Sequence, residues 1–298
     1  MAFSQRLMQS AQLVEAHLAA RLDNLAAQGA PERLIAAMRH GTLGSGKRFR
    51  PFLVLETAAL FGVAGETAVE TAVAVECVHC YSLIHDDLPA MDNDDLRRGR
   101  PTVHRAFDEW TAILAGDALL TLAFEVLSGP AARADPAIRA ELVAGLARAS
   151  GGAGMAGGQC LDLEAEKLGS PAQPSASHVQ RLQAMKTGAL LRFSCEAGAI
   201  LGGASAEQRR ALASYGACIG LAFQIADDLL DLEGDAAAVG KAVGKDAAKA
   251  TLHSASDAAT AKARLAALEA EAVAALASFG PAAEILREAA SFVVRRER

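Results

Sequence analysis

Five aspartates, Asp86, Asp87, Asp92, Asp94 and Asp95, crowd into ten residues of "SLIHDDLPAMDNDDLRRGRPTVH", and Arg97 and Arg98 follow directly. Carboxylates that close raise one another's proton affinity unless cations share the site. Positive charge is therefore expected there. A second cluster stands at "QIADDLLDLEGD", where Asp227 and Asp231 are four apart on one helical face with Asp228 beside them. Oxygen-only ligand sets suit Mg²⁺, which takes one or two carboxylates per ion and completes its octahedron with water and substrate phosphate. Two facing clusters imply a phosphate-bearing ligand between them. The basic residues agree: Lys47, Arg48 and Arg50 in "GSGKRFRP", Lys186 in "MKTG", and Lys241 and Lys245 in "VGKAVGK" punctuate helix ends.

These residues need a helical frame. Hydrophobic residues make up 52% of the 298 and aromatics 4%, so the core is aliphatic, and Ala-rich stretches such as "ATAKARLAALEAEAVAALASF" are strong helix formers. Apolar residues recur at three and four, as at Leu221, Ile225 and Leu229, and no strand pattern is evident. Pro31, Pro136 (after a capping Asp135) and Pro281 suit first helical turns and divide the chain into about ten or more helices. Asp86 and Asp92 are six apart, a spacing that a straight helix would aim in different directions; Pro89 is expected to kink or end the helix between them. The expected loops are 41–46, the region after Met91, 166–177 and 233–254, none long enough to link domains. The expectation is one all-α domain over 1–298 without internal repeats.

Several function classes fall away. A net charge of −6 argues against nucleic acid. The cysteines at 77, 80, 160, 195 and 218 have no disulfide-framework spacing and read as reduced cytosolic thiols, and Cys77 and Cys80 lack the second pair a zinc site needs. The N-terminus, interrupted by Arg6, Glu15 and His17, reads as an amphipathic helix rather than a signal peptide. No uncharged apolar run reaches about 18 residues, so a soluble protein is expected. Gly41 to Lys47 matches a phosphate-loop spacing, but Arg48 stands where Ser or Thr is required. Glu76 to His79 matches one di-iron helix motif where two are needed. No setting such as GxSxG marks a nucleophile.

Taken together, the motifs GSGKRFRP (44–51), DDLPAMD (86–92) followed by RR, GGQCLDLE (157–164), KTG (186–188), FQIADDLLD (223–231) and VGKAVGKD (239–246) resemble the trans-isoprenyl diphosphate synthases. The resemblance runs from about Gly44 to Thr251 and is strongest to the bacterial farnesyl diphosphate synthases. It implies helices packed around a central cavity, and a homodimer in the cytoplasm without stable membrane insertion. It implies that Asp86, Asp92 and Asp227 hold about three Mg²⁺ on an allylic diphosphate, with Asp87, Asp228 and Asp231 acting through waters. Arg97, Lys186 and Lys241 would bind the same diphosphate, and Lys47, Arg50, His79 and Arg98 would form a metal-free site for isopentenyl diphosphate. Thr187 and Gln224 would lie near the forming carbocation, which their oxygen dipoles stabilise.

Tyr81 and Ser82 stand five and four positions before Asp86, about 6 to 7.5 Å deeper along the helix, where a growing tail would meet them. In the resembling family a large ring at the fifth position marks farnesyl makers, so a C15 product is expected. Two departures stand out: Gly44-Ser45-Gly46 where a Gly-Gly pair commonly precedes the lysine, and "ATLHS" after Lys249 where an aromatic and a proline are common. The C-terminal "VVRRER" could close over the diphosphates or simply be solvated. The alternatives weighed are a geranyl or geranylgeranyl diphosphate synthase, a terpene cyclase and a non-catalytic partner subunit. The retained aspartates and cations speak against the last two.

Overall fold

The computed structural model describes residues 3–44, 46–132, 135–172, 175–233 and 258–295, excepting the side chains of 231–233 and 258. Lys241, Lys245, the Asp231 side chain, the 234–254 part of the expected last loop and the final three residues of the basic tail lie outside the described residues. Among the described residues the all-α expectation holds, with one exception. A hairpin of two residues per strand, β1 (Leu96–Arg97) and β2 (Arg100–Pro101), pairs Leu96 with Pro101 and Arg97 with Arg100. Arg98 and Gly99 make its turn at φ 54° and 74°, the positive values a two-residue hairpin requires. Strands this short leave no alternation to detect.

The chain sorts into two compact units, Met1–Ala59 with Val63–Val143, and Leu60–Gly62 with Ala144–Arg298. In the first, α1 (Phe3–Ala27) buries the stripe Leu7, Ser10, Val14, Leu18 and Leu22. Then come α2 (Glu32–Thr42), α3 (Phe49–Ala59) and α4 (Gly65–Asp86). Helix α4 is the centre of this unit: it packs on α1, α2, α3 and α6 and is buried without interruption from Ala68 to Val78. A helix apolar on all sides has no amphipathic face to betray its direction, and only surrounding partners explain it. After the hairpin, α5 (Val103–Ala106) leads to α6 (Glu109–Ser128), whose cap Asp108 accepts from the Thr111 amide at 2.8 Å.

Helix α7 (Pro136–Ser150), whose cap Asp135 accepts from the Ala137 amide at 2.8 Å, carries the chain from the first unit into the second. There follow α8 (Met155–Leu168), α9 (Ala176–Gln183), a π-helical turn over Ala184–Gly188, α10 (Ala189–Leu201), α11 (Ala206–Glu233), α12 (Ala258–Ala275), a 3₁₀ turn over Ala277–Ala283 and α13 (Glu284–Val294). Tyr215 of α11 is fully buried and donates to the Leu286 carbonyl of α13 at 2.7 Å. Pro31 caps α2, Pro136 opens α7, and Pro281 precedes α13, as their fixed φ favours.

Among the described residues, α4 and α6 are long and apolar enough to cross a bilayer by length and composition. Charged residues interrupt both in sequence, Glu70 and Glu76 in α4 and Asp117 and Glu125 in α6, so neither holds an uncharged run of about 18 residues. In α4 that apolar surface is turned to protein: 78% of the window is buried inside the fold.

Candidate active site

Helix α4 ends at Asp86, and the chain folds back on itself. The Met91 and Asn93 amides donate to the Leu88 carbonyl at 2.9 and 3.1 Å, and the Asp92 amide returns to the Asp86 carbonyl at 2.9 Å. Pro89, without an N–H and with fixed φ, sits in this turn where helix cannot continue. The widened aspartate spacing is thus closed by a turn that sets residue 92 beside residue 86.

The two aspartates of the first pair differ. Asp86 is half-exposed, whereas Asp87 is buried and held by Arg97, whose Nε and Nη2 lie 2.7 and 2.5 Å from Asp87 Oδ1. Arg97 Nη2 also lies 3.4 Å from Asp94 Oδ2. Burial works against the Arg97 charge, but the Asp87 hydrogen bond and the carboxylates of Asp87, Asp86 and Asp94 raise its pKa above the ordinary value. Arg97 is therefore a brace for the motif, placed there by β1.

Beside this motif, the predicted metal-free cluster assembles within the first unit. Arg50 Nη1 lies 3.5 Å from His79 Nε2. Burial, then the charges of Arg50, Arg98, Arg48 and Arg97, hold the His79 pKa well below its usual value, so the ring is neutral at pH 7. Gly46 has φ 119°, which favours glycine, and a Cβ there would stand 2.3 Å from Arg98 Nη1, so that guanidinium lies close against this backbone. Lys47 is exposed next to it. Tyr81 and Ser82 follow His79 by two and three residues: Tyr81 meets the His85 ring edge to face at 5.7 Å, and the Ser82 hydroxyl donates to the His79 carbonyl at 2.8 Å.

In the second unit α11 carries the other pair with the same division. Asp227 is half-exposed; Asp228 is buried and accepts from Gln183 Nε2 at 3.1 Å and Gln224 Nε2 at 3.0 Å. With its nitrogen committed to Asp228, Gln224 turns its Oε1 to the Thr187 hydroxyl, which donates at 3.1 Å. Two oxygens of the predicted cation-stabilising pair are thereby brought together. Lys186 and Thr187 lie in the π turn, whose wider winding departs from the α-helical spacing. Lys186 Nζ is held by Asp162 Oδ2 at 2.6 Å, and the Asp162 side chain is 6% exposed.

Asp162 and Gln183 had no assigned role in the sequence. Asp162 had a signal, an acid inside the GGQCLDLE motif with no function given; Gln183 had none, because its partner is 45 residues away. Gly158 of the same motif lets α8 approach the π turn, since a Cβ there would fall 2.2 Å from the Lys186 amide nitrogen.

Among the described residues no three His, Cys, Asp or Glu side chains converge to hold a metal ion on their own. Mg²⁺ binds proteins through one or two carboxylates and leaves its other positions to water and phosphate. The half-exposed Asp86, Asp92 and Asp227 suit such shared ligation, and the buried Asp87 and Asp228 suit its support. Cys77 and Cys80 are buried, and burial, with Glu76 adding to it, pushes the Cys80 thiol up to about 12, so neither supplies a thiolate.

A predominantly helical chain with two aspartate pairs and a cationic cluster fits a class of enzymes that act on diphosphate esters. The chain belongs to the polyprenyl synthetase family, whose model matches residues 31–271. It is 50% identical over 217 residues to farnesyl diphosphate synthase of Escherichia coli, covering 72% of this chain and 71% of that one. It is 44% identical over 243 residues to farnesyl diphosphate synthase of Geobacillus stearothermophilus, covering 81% and 80%. The crystal structure of an FPP/GFPP synthase from Zymomonas mobilis superposes with a TM-score of 0.87 at 45% identity, covering 98% of each chain.

Proposed function

We propose that this prenyltransferase condenses isopentenyl diphosphate with dimethylallyl and then geranyl diphosphate, giving (2E,6E)-farnesyl diphosphate. The observation that carries the reading is the division of labour around α4. Asp86 and Asp92 share one turn at its end, while the cations Arg50 and Arg98 gather around the neutral His79 ring alongside. One diphosphate therefore suits carboxylates that share metal, and the other suits cations alone.

Mg²⁺, about three ions held by Asp86, Asp92 and Asp227, would neutralise the allylic diphosphate as it leaves. Asp87, Asp228 and Asp231 would support these ligands, the first through Arg97 and the second through Gln183 and Gln224. Arg97, Lys186 and Lys241 would bind the allylic diphosphate. Lys47, Arg50, His79 and Arg98 bind isopentenyl diphosphate and align its double bond with the allylic carbon. The Thr187 and Gln224 oxygens, 3.1 Å apart, would stabilise the developing cation. No protein base is required, because the departed diphosphate can accept the proton; the chain supplies alignment, charge and exclusion of water. Tyr81 and Ser82 form the floor that limits the tail. As part of the same reading, the chain is one catalytic domain, a cytoplasmic homodimer without stable membrane insertion.

A longer product is the second reading, because the Zymomonas relative is described as an FPP/GFPP synthase. Purified protein incubated with Mg²⁺, isopentenyl diphosphate and either dimethylallyl or geranyl diphosphate, with and without chelator, separates them. A metal-dependent C15 product is expected. A C20 or C25 product would keep the chemistry and remove the Tyr81 floor, and no product from either primer would overturn the reading.

A further inference from the structure

Arg48 stands between Lys47 and Arg50, yet it points away from their task. Its backbone has φ 49°, a left-handed conformation that a long side chain adopts only when its surroundings impose it. Its side chain is 1% exposed; Nη1 donates to Glu76 Oε1 at 2.7 Å and Nη2 to the Thr42 carbonyl. Arg48 Nη2 also lies 3.9 Å from Glu15 Oε1, which accepts from the Gly44 amide at 2.5 Å. One buried guanidinium thus grips the end of α2 at Thr42 and, through Glu15, the backbone two residues on at Gly44.

The grip on Glu76 determines register. Glu76 and His79 are three apart on α4 and share a face. Arg48 takes the first of them, and Arg50, two residues on, meets the second at 3.5 Å. The pair contributes little as a stabiliser: Glu76 Oε2 and Arg48 Nε are buried without hydrogen-bond partners, and well-packed apolar residues often replace such a pair with equal or better stability. Buried and neutralised by Glu76, Arg48 is also unsuited to hold a diphosphate.

We propose that Arg48 is a positioning residue for the metal-free diphosphate site: anchored on Glu76 and the Thr42 carbonyl, it holds 47–50 so that Lys47 and Arg50 present their charge beside His79. This rests on reading that cluster as the isopentenyl diphosphate site. Its loss weakens isopentenyl diphosphate binding and leaves the allylic substrate and the chemical step nearly unchanged.

Because this site needs no metal, calorimetry of isopentenyl diphosphate in chelator reads it apart from turnover. The full-length wild type, Arg48→Met and the double variant Arg48→Met/Glu76→Leu are compared, the last refilling the core without an unpaired acid. Affinity is expected to fall about tenfold or more in both variants, while the double variant unfolds no earlier than wild type. Steady-state assays should show the same rise in KM for isopentenyl diphosphate, with kcat and KM for geranyl diphosphate within about twofold. Wild-type affinity in the double variant, or an equal rise in both KM values, overturns the proposal. If the wild type binds without metal but forms no product, the proposed function fails and the variants' affinities still decide the role of Arg48. No binding by the wild type in chelator overturns both.

Discussion

The Asp92 amide donates to the Asp86 carbonyl at 2.9 Å, so two carboxylates six residues apart leave from adjoining points of one turn. Directly between them in sequence, Asp87 turns inward to Arg97. The same split recurs at Asp227 and Asp228, where the first is half-exposed and the second is buried on two glutamine amides. Outward and inward members should respond differently to substitution.

Asp227→Asn is expected to lower kcat by about 100-fold or more and to shift unfolding by less than about 0.5 kcal/mol. Asp228→Ala should additionally destabilise the chain by about 1–3 kcal/mol, because Gln183 Nε2 is left buried without its acceptor. Urea unfolding monitored by circular dichroism, beside steady-state kinetics, checks the contrast. Equal destabilisation by both substitutions would contradict it.

Tyr81→Ala is expected to lengthen the product to C20 or beyond, read by chromatography of the dephosphorylated alcohols. Tyr81 is half-buried, and that burial raises the pKa of its hydroxyl. Unchanged C15 product would transfer the floor to other residues.

His79 links stability to pH. Its folded pKa is depressed, by burial first and then by Arg50, Arg98, Arg48 and Arg97, while the unfolded chain takes up a proton near pH 6.5. The unfolded state therefore binds more protons below that pH. The contribution is full above about pH 6.5 and is lost as pH falls, at up to about 1.4 kcal/mol per pH unit. Unfolding midpoints between about pH 5 and 7.5 should fall more steeply in the wild type than in His79→Gln. Parallel curves would show that the ring carries no such linkage.

Gly116→Ala probes the support behind Tyr81. A Cβ there would fall 2.1 Å from His85 Nε2 and 2.4 Å from its Cδ2, so the ring must leave its seat and its contact with the Ile113 carbonyl at 3.1 Å. Overpacking of this kind costs about 1–3 kcal/mol, or about 2–4 °C of melting temperature per kcal/mol in a chain of this size. Differential scanning calorimetry measures the loss. An unchanged midpoint would mean that the ring moves freely.

Much of the site was legible in sequence because its signals are local. The aspartate pairs, Pro89 and the "RR" that follows lie within a few residues of one another, and turn chemistry acts at that range. The braces were not legible. Asp162 reaches Lys186 across 24 residues, Arg48 reaches Glu76 across 28, and Gln183 reaches Asp228 across 45. Their types mark them only as polar residues within helices until packing selects their partners. The direction of Arg97 was missed for the same reason, since the hairpin that turns it onto Asp87 has no alternating pattern. The helix-rich frame followed from composition and the proline positions, whereas α4 could be recognised as central only from what surrounds it.

The π turn at Ala184–Gly188 has a consequence for the helix that follows it. Along α10 nearly every side chain is buried; the outward stripe is Arg192 and Glu196, paired at 2.8 Å. A helix with so narrow a stripe tolerates one rotational phase. Each residue advances a helix by about 100°, so removing one residue from the π turn would regularise the winding and swing Arg192 and Glu196 into the packed interior. The extra residue is thus a phase setting: the same local loosening that presents Lys186 and Thr187 also dictates which side of the next helix faces water.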